Sequence, residues 1–369
     1  MKFKCQQQKL SKALNIVSRA VTSRTTIPVL KGILVDVNNG KLTMSASDLD
    51  IAIKNTIDVE VIEEGSVVIT AKLFSDIIRK LPSSEIKIES DENNNITINC
   101  LTSEFKVVGM STDEFPIVNT EKDINNRITF EKKSLKDMIE KTAFAASLDE
   151  ARGIITGVLI ELNENEMTMV AIDGYRMAIT KKSHTTVNPK KIVISVKTLS
   201  EISKILNDID NEEDNINLYL NDKKAIFEIG NCQAELKIME GEFIKYRDIL
   251  PKDNKIEVTI DKSMLLSSIE RASLLSKAGK NNLIRMNISG SLVTITSNSE
   301  EGNVKEDIIV TKNGDDITIG FNAQYVIDVL KNIDDEEIRM LLNTPVTPCL
   351  IEPLEGNEFE YLILPVRIN

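Results

Sequence analysis

Few side chains in this sequence are suited to catalysis, and none has a partner close by in the chain. The four cysteines, Cys5, Cys100, Cys232 and Cys349, form no close pair, which excludes a zinc ribbon and a C-x-x-C redox site. The single histidine, His184, lies in the polar stretch Lys181-Lys182-Ser183-His184-Thr185-Thr186, so a His-based triad or multi-His metal site lacks its raw material. Asp173-Gly174 sits between strand-like runs and reads as a hairpin turn in which glycine supplies a positive φ. Asp48 holds the corresponding place 125 residues earlier, which favours a structural role for both. No second carboxylate is placed by sequence to form an acid/base pair. The expectation is a chain with no catalytic residue, no metal and no cofactor.

The elements around these residues repeat. Strand, polar turn and amphipathic helix recur from Phe3 to Val21, from Ile128 to Ala145 and from Val258 to Leu275. Leu10, Leu14 and Val17, then Leu135, Ile139 and Thr142, then Leu265, Ile269 and Ala272 give i, i+4, i+7 stripes. A second helix follows each of three strands marked by Ile69, Ile194 and Ile319, which are 125 residues apart. Alternating strands fill the space between, as in Leu42–Ala46, Met167–Ala171 and Val293–Ser297. A period this long is the size of a whole domain. The pattern predicts an α+β fold of three similar domains, 1–121, 127–250 and 254–369, each with two helices packed on antiparallel sheets. Boundaries fall in the polar stretches Glu121–Asn126 and Pro251–Asn254, while Glu89–Asn95 and Asp208–Asp214 read as hairpin loops within domains.

Charge follows the same division. The 369 residues hold 45 Lys+Arg against 57 Asp+Glu, a net −12 that taken alone argues against nucleic acid. The six helical segments nevertheless carry a net +11, which leaves −23 elsewhere. A basic helical face with an acidic exterior suits sequence-independent contact with phosphate backbones. No apolar run approaches the roughly 20 residues that span a bilayer. The first residues enter a strand pattern without a signal-like apolar core, and the unpaired cysteines point to the cytoplasm.

Several segments resemble one family. They are Ser23-Arg24-Thr25-Thr26-Ile27-Pro28-Val29-Leu30, Ser47-Asp48-Leu49-Asp50, Asp113-Glu114-Phe115-Pro116 and Ala171-Ile172-Asp173-Gly174-Tyr175-Arg176-Met177-Ala178. Tyr246-Arg247-Asp248-Ile249-Leu250-Pro251-Lys252, Phe321–Leu330 and the ending Tyr361–Ile368 complete the set. In this order and spacing the chain resembles, over essentially its whole length, the bacterial DNA polymerase III beta subunit, the sliding clamp. The resemblance implies "DNA clamp" domains assembling head to tail as a six-domain homodimeric ring. Such a ring would encircle double-stranded DNA without reading its sequence and serve as a processivity factor in DNA replication. It would tether the DNA polymerase III catalytic subunit, the clamp loader, and other polymerases and repair proteins through short hydrophobic peptide motifs. The competing reading of the residues is an acidic protein-only scaffold with a peptide-binding groove.

The resemblance also carries site residues. A partner-peptide pocket would be formed by Ile155, Ile172, Gly174, Tyr175, Arg176, Met177, Ile244, Ile249, Tyr325, Val346, Pro348, Leu364, Pro365, Val366 and Arg367. Leu364-Pro365-Val366 reads as an apolar strand end in which proline removes a ladder donor, so it is expected at a sheet edge. Phe243-Ile244-Lys245-Tyr246 stands where the family commonly has Phe-Pro-Asp-Tyr, which keeps an apolar surface but loses the ring's rigidity. Arg24, Arg152 and Lys197 match basic positions that the family presents to the hole, and Lys12, Lys72, Arg79 and Lys204 join them as DNA-binding candidates. The loop Leu148–Ile154 offers only Arg152 for DNA. Phe105, Leu274 and Leu275 match the subunit seam.

Overall fold

The computed structural model describes every residue except Ser23, 117–121, 123–126, 185–188, 210–214, 278–281 and Asn369. Both helices of each repeat form where the stripes require them: α1 Gln7–Val17, α2 Ala71–Lys80, α3 Lys132–Ala143, α4 Val196–Asp208, α5 Lys262–Ser276 and α6 Ala323–Lys331. Leu10, Leu14 and Val17 are buried, as are Leu135, Ile139, Thr142, Leu265, Ile269 and Ala272. Asp261 caps α5 by accepting from the Met264 amide at 2.7 Å, and Asn322 caps α6 by accepting from Gln324 at 2.9 Å. The strands Gly65–Thr70, Lys190–Ser195 and Ile317–Asn322 hold Ile69, Ile194 and Ile319 in the core at matching places.

The chain forms two compact units: Met1–Lys136 with Lys197–Ile238, and Asp137–Val196 with Met239–Asn369. The middle repeat contributes to both. Each unit has one large and one small antiparallel sheet, and the large sheet is shared by two repeats. In the first unit an eight-stranded sheet joins Ile51–Asp58 to Cys232–Lys237, with Ile51 opposite Leu236. In the second a nine-stranded sheet joins Arg176–Ser183 to Phe359–Ile363, with Arg176 opposite Ile363. These junction strands were not legible in the sequence, because a strand bordered by its own repeat has the same alternation as one bordered by the next.

Phe359–Ile363 lies inside the nine-stranded sheet, between Arg176–Ser183 and Cys349–Pro353, whereas Leu364-Pro365-Val366 lies beyond its end, where the Val366 amide donates to Gly320 on Ile317–Asn322, an edge strand of the four-stranded sheet. The strand ends two residues before Pro365, so the missing N–H never enters the ladder. The polar segment around 121–126 and most of the run 208–214 lie outside the described residues. At Glu89–Asn95 the expected turn forms, with the Asp91 carboxylate accepting from the amides of Asn93 and Asn95.

All four cysteines are buried and unpaired. Burial pushes the thiols of Cys232 and Cys349 up to about 12 and also raises Cys5. The folded chain at pH 8 is therefore expected to titrate with less than about one equivalent of a thiol-disulfide reagent, and with four after unfolding. Rapid reaction of two or more thiols in the native state would refute this.

Candidate functional site

The pocket candidates all fall in the second unit. Ile155, Ile172 and Met177 are buried in one apolar cluster with Leu159, Phe243, Tyr246, Leu341, Leu350 and Leu362. Alternation explains the placement: Ile172 and Met177 are paired across the hairpin that Asp173-Gly174 closes, and they share a face. The exposed candidates adjoin members of this cluster along the chain. Tyr175, Ile244, Ile249, Val346 and Leu364 are between 36% and 66% exposed, high for large apolar side chains in one unit.

Backbone and ring contacts connect part of the set. The Leu364 amide donates to the Tyr175 carbonyl at 2.9 Å, which sets the chain end beside the hairpin turn. Tyr175 and Tyr325 stack with ring centres 5.8 Å apart. Ile244 and Ile249 flank Tyr246: the Tyr246 amide donates to the Ile244 carbonyl at 2.7 Å, and the Ile249 amide to the Tyr246 carbonyl at 3.1 Å. Val346 and Pro348 belong to the turn between Glu337–Leu342 and Cys349–Pro353, whose Leu341 and Leu350 enter the cluster. Val366 donates to Gly320 at 2.8 Å and so follows the strand Ile317–Asn322, while Arg367 is exposed beyond it.

Arg176 is largely buried. Its side chain is 11% exposed; Nε donates to Asp173 at 3.1 Å, Nη2 to the Phe144 carbonyl at 3.0 Å, and Nη1 to Asp328. The guanidinium also faces the rings of Tyr325 at 4.9 Å and Phe144 at 5.4 Å. It ties the hairpin turn to α6 beneath the aromatic pair.

The turn itself repeats. Asp173 accepts from the amides of Tyr175 and Arg176, and Asp48 accepts in the same way from Asp50 and Ile51. Gly174 has φ +88° and Leu49, its counterpart, +78°. Both aspartates are therefore turn residues. A Cβ on Gly174 would lie 3.0 Å from the Arg152 guanidinium, which also donates to the Asp173 carbonyl. Arg152 is thus docked on the turn beside the apolar floor.

The other DNA-binding candidates, Lys12, Arg24, Lys72, Arg79, Lys197 and Lys204, are all exposed and all in the first unit. There an open groove of about 1210 Å³ runs along α1 and α2, bordered by Gln8, Lys12, Asn15, Lys31, Lys72 and Arg79. The charge count by element overstates the cations available to phosphate. Arg19 is committed to Asp208 at 2.6 Å and Glu201 at 3.3 Å, Lys204 to Glu201 at 2.6 Å, and Arg79 to Asp76 at 2.5 Å. Phe105 is 39% exposed on Ser103–Val108, an edge strand, and Leu274 is 70% exposed on α5, with Leu275 half-buried.

Sequence reasoning missed Glu161, Arg247, Asp328 and Phe144. Glu161 had a signal, since it is the one acid in the apolar strand Gly157–Leu162, where a buried carboxylate must find partners. It is 2% exposed and receives Tyr246 Oη at 2.7 Å, Arg247 Nη2 at 2.6 Å and Lys191 Nζ at 2.7 Å. Burial alone would raise its pKa, but these donors outweigh burial and hold it at about 2.

Among the described residues no group of His, Cys, Asp and Glu could hold a metal ion, and no helix is long and apolar enough to cross a membrane. Models of the N-terminal, central and C-terminal domains of the DNA polymerase III beta subunit match residues 1–119, 129–245 and 247–367 in turn. The chain belongs to the DNA polymerase III beta subunit family. A beta sliding clamp of Staphylococcus epidermidis is 32% identical over 100% of this chain and 99% of its own. Among solved structures, the DNA polymerase sliding clamp of Bacillus subtilis is 30% identical with a TM-score of 0.95. The beta subunit from the DNA polymerase of Streptococcus pyogenes is also 30% identical, with a TM-score of 0.94, and both alignments cover 100% of each chain. The sliding-clamp fold therefore extends over the whole chain, and the protein-only scaffold is not favoured.

Proposed function

We propose that this sliding clamp acts without chemistry of its own, as a cytoplasmic homodimer that encircles duplex DNA and holds the polymerase to it. The observation that carries the reading is the unbroken succession of three beta-subunit domain matches along a chain whose helices recur in register. We assign the domains to 1–121, 127–250 and 254–369. The cations Lys12, Arg24, Lys72, Arg79, Arg152, Lys197 and Lys204 contact phosphates. Arg79, Arg152 and Lys204, engaged within the protein, contribute less than Lys72 and Lys197.

The floor of Ile155, Ile172 and Met177, with Tyr175, Ile244, Ile249, Val346 and Leu364 around it, receives apolar side chains of partner peptides. Gly174, Arg176, Tyr325, Pro348, Pro365, Val366 and Arg367 shape its borders. Phe105, on a strand with one open edge, meets Leu274 and Leu275 of a second copy in a head-to-tail seam.

The test is topological. The protein is loaded by its clamp loader on nicked circular DNA, washed in high salt, and the circle is then cut. Retention on the circle and release after cutting are expected, because simple phosphate binding weakens steeply with salt. Retention unaffected by cutting would overturn the encircling mechanism.

A further inference from the structure

From the cluster around Glu161 we infer a positioning role: this buried carboxylate, which contacts no partner itself, sets the wall of the peptide pocket formed by Ile244 and Ile249. The inference rests on the pocket reading above and assigns that site a residue beneath its surface.

The wall packs Phe243 and Tyr246 into the apolar cluster but has little regular structure to hold it. Phe243–Ile249 has one short 3-10 turn, Tyr246–Asp248, and no proline to fix its backbone. Its two exposed isoleucines are attached through Tyr246, whose amide and carbonyl bond to Ile244 and Ile249 respectively. Tyr246 is 4% exposed, and its hydroxyl ends on Glu161. Arg247 adds a second tie, with its guanidinium 4.6 Å above the Tyr246 ring and Nη2 on the same carboxylate oxygen. Two adjacent residues of the wall thus converge on one acid of the neighbouring strand. Lys191, on the strand paired with it, occupies the other oxygen and fixes the carboxylate's orientation. The carboxylate is desolvated while Arg247 and Lys191 remain more than half exposed, and hydrogen bonds to a charged group are strong.

The first repeat supplies an internal contrast. Asp36 stands 125 residues before Glu161, on the equivalent strand Gly32–Asn38. Counted from Phe115 as from Phe243, the places of Tyr246 and Arg247 are taken by Val118 and Asn119. Burial raises the pKa of Asp36, with only Lys54 opposing, the reverse of Glu161. In sequence, the Tyr-Arg pair that meets Glu161 has no counterpart in the first repeat.

The experiment is a double-mutant cycle on the full-length dimer. Its probe is a fluorescein-labelled decapeptide ending in Leu-Phe, read by polarisation. Glu161→Gln and Ile249→Ala are each expected to weaken binding about tenfold, and the double variant no more than about twofold beyond either single. With Val346→Ala, in a different loop, the effect of Glu161→Gln should multiply. Tyr246→Phe, which removes one hydroxyl and leaves packing intact, should cost about threefold and guards against a folding defect in the Gln variant. If Ile249→Ala weakens binding and Glu161→Gln does not, or if their effects multiply, the positioning role is overturned while the pocket stands. If Ile249→Ala and Val346→Ala both leave binding unchanged, the pocket reading falls and this inference with it.

Discussion

Truncation after Ile363 is expected to reduce capture of an apolar partner peptide by at least about 100-fold, about 2.7 kcal/mol, while leaving the dimer and its secondary structure intact. The residues removed are few but well placed. Leu364 is the exposed apolar residue that hydrogen bonds the Tyr175 turn, and Val366 runs along Ile317–Asn322. Gly320 opposite has no side chain, and a Cβ there would lie 2.8 Å from the Val366 carbonyl oxygen. The deletion therefore removes one border of the candidate pocket and frees the Tyr175–Tyr325 pair on that side. The sheet keeps its strand Phe359–Ile363, with Tyr361 and Leu362 still buried, so the second unit retains its core. Sedimentation and circular dichroism check the fold, and polarisation the affinity. A truncated chain that binds within threefold of the full one would remove Leu364 and its neighbours from the site.

Much of this was legible in the residues, for physical reasons that differ from element to element. The helices announced themselves because each repeat keeps an i, i+4, i+7 stripe that only a buried helix face requires. The turn at Asp173-Gly174 was legible because its chemistry is local: one carboxylate accepts two amides and one residue takes a positive φ. Leu49 shows the limit of that rule, since the same conformation recurs there without glycine.

What escaped was non-local. The junctions Ile51–Leu236 and Arg176–Ile363 pair strands from different repeats, and alternation carries no record of which neighbour a strand will choose. The sorting of cations into engaged and available escaped for the same reason. Arg19 and its partners Glu201 and Asp208 are more than 180 residues apart, so a count by element assigned the whole charge of Arg19 to the helices. Resemblance put Arg176 among the pocket candidates, but its burial against Tyr325 depends on Asp328 and Phe144, which nothing in the local sequence connects to it.

That burial makes Arg176→Ala the substitution with the largest expected effect on local stability. Removing one member of a buried ion pair costs about 3–5 kcal/mol, because the partner charge stays desolvated without compensation. Here the lower end applies. Asp173 keeps the Tyr175 amide at 2.8 Å and the amide of residue 176, and Asp328 keeps Gln324 Nε2 at 2.6 Å. The Phe144 carbonyl loses its side-chain donor, and two aromatic faces lose their cation. Amide exchange at residues 175–177 should report local opening that is easier by about 3 kcal/mol, roughly 150-fold faster in the exchange limit where opening equilibrates. Arg176→Lys restores the charge but not the fork that reaches Asp173, Asp328 and the Phe144 carbonyl together, so it should recover less than about half of the loss. Because Tyr325 rests on the guanidinium and stacks on Tyr175, peptide affinity should fall with it even though the arginine is 11% exposed. Unchanged exchange in the Ala variant, or full rescue by Lys, would mean that the turn is held by Asp173's backbone bonds alone.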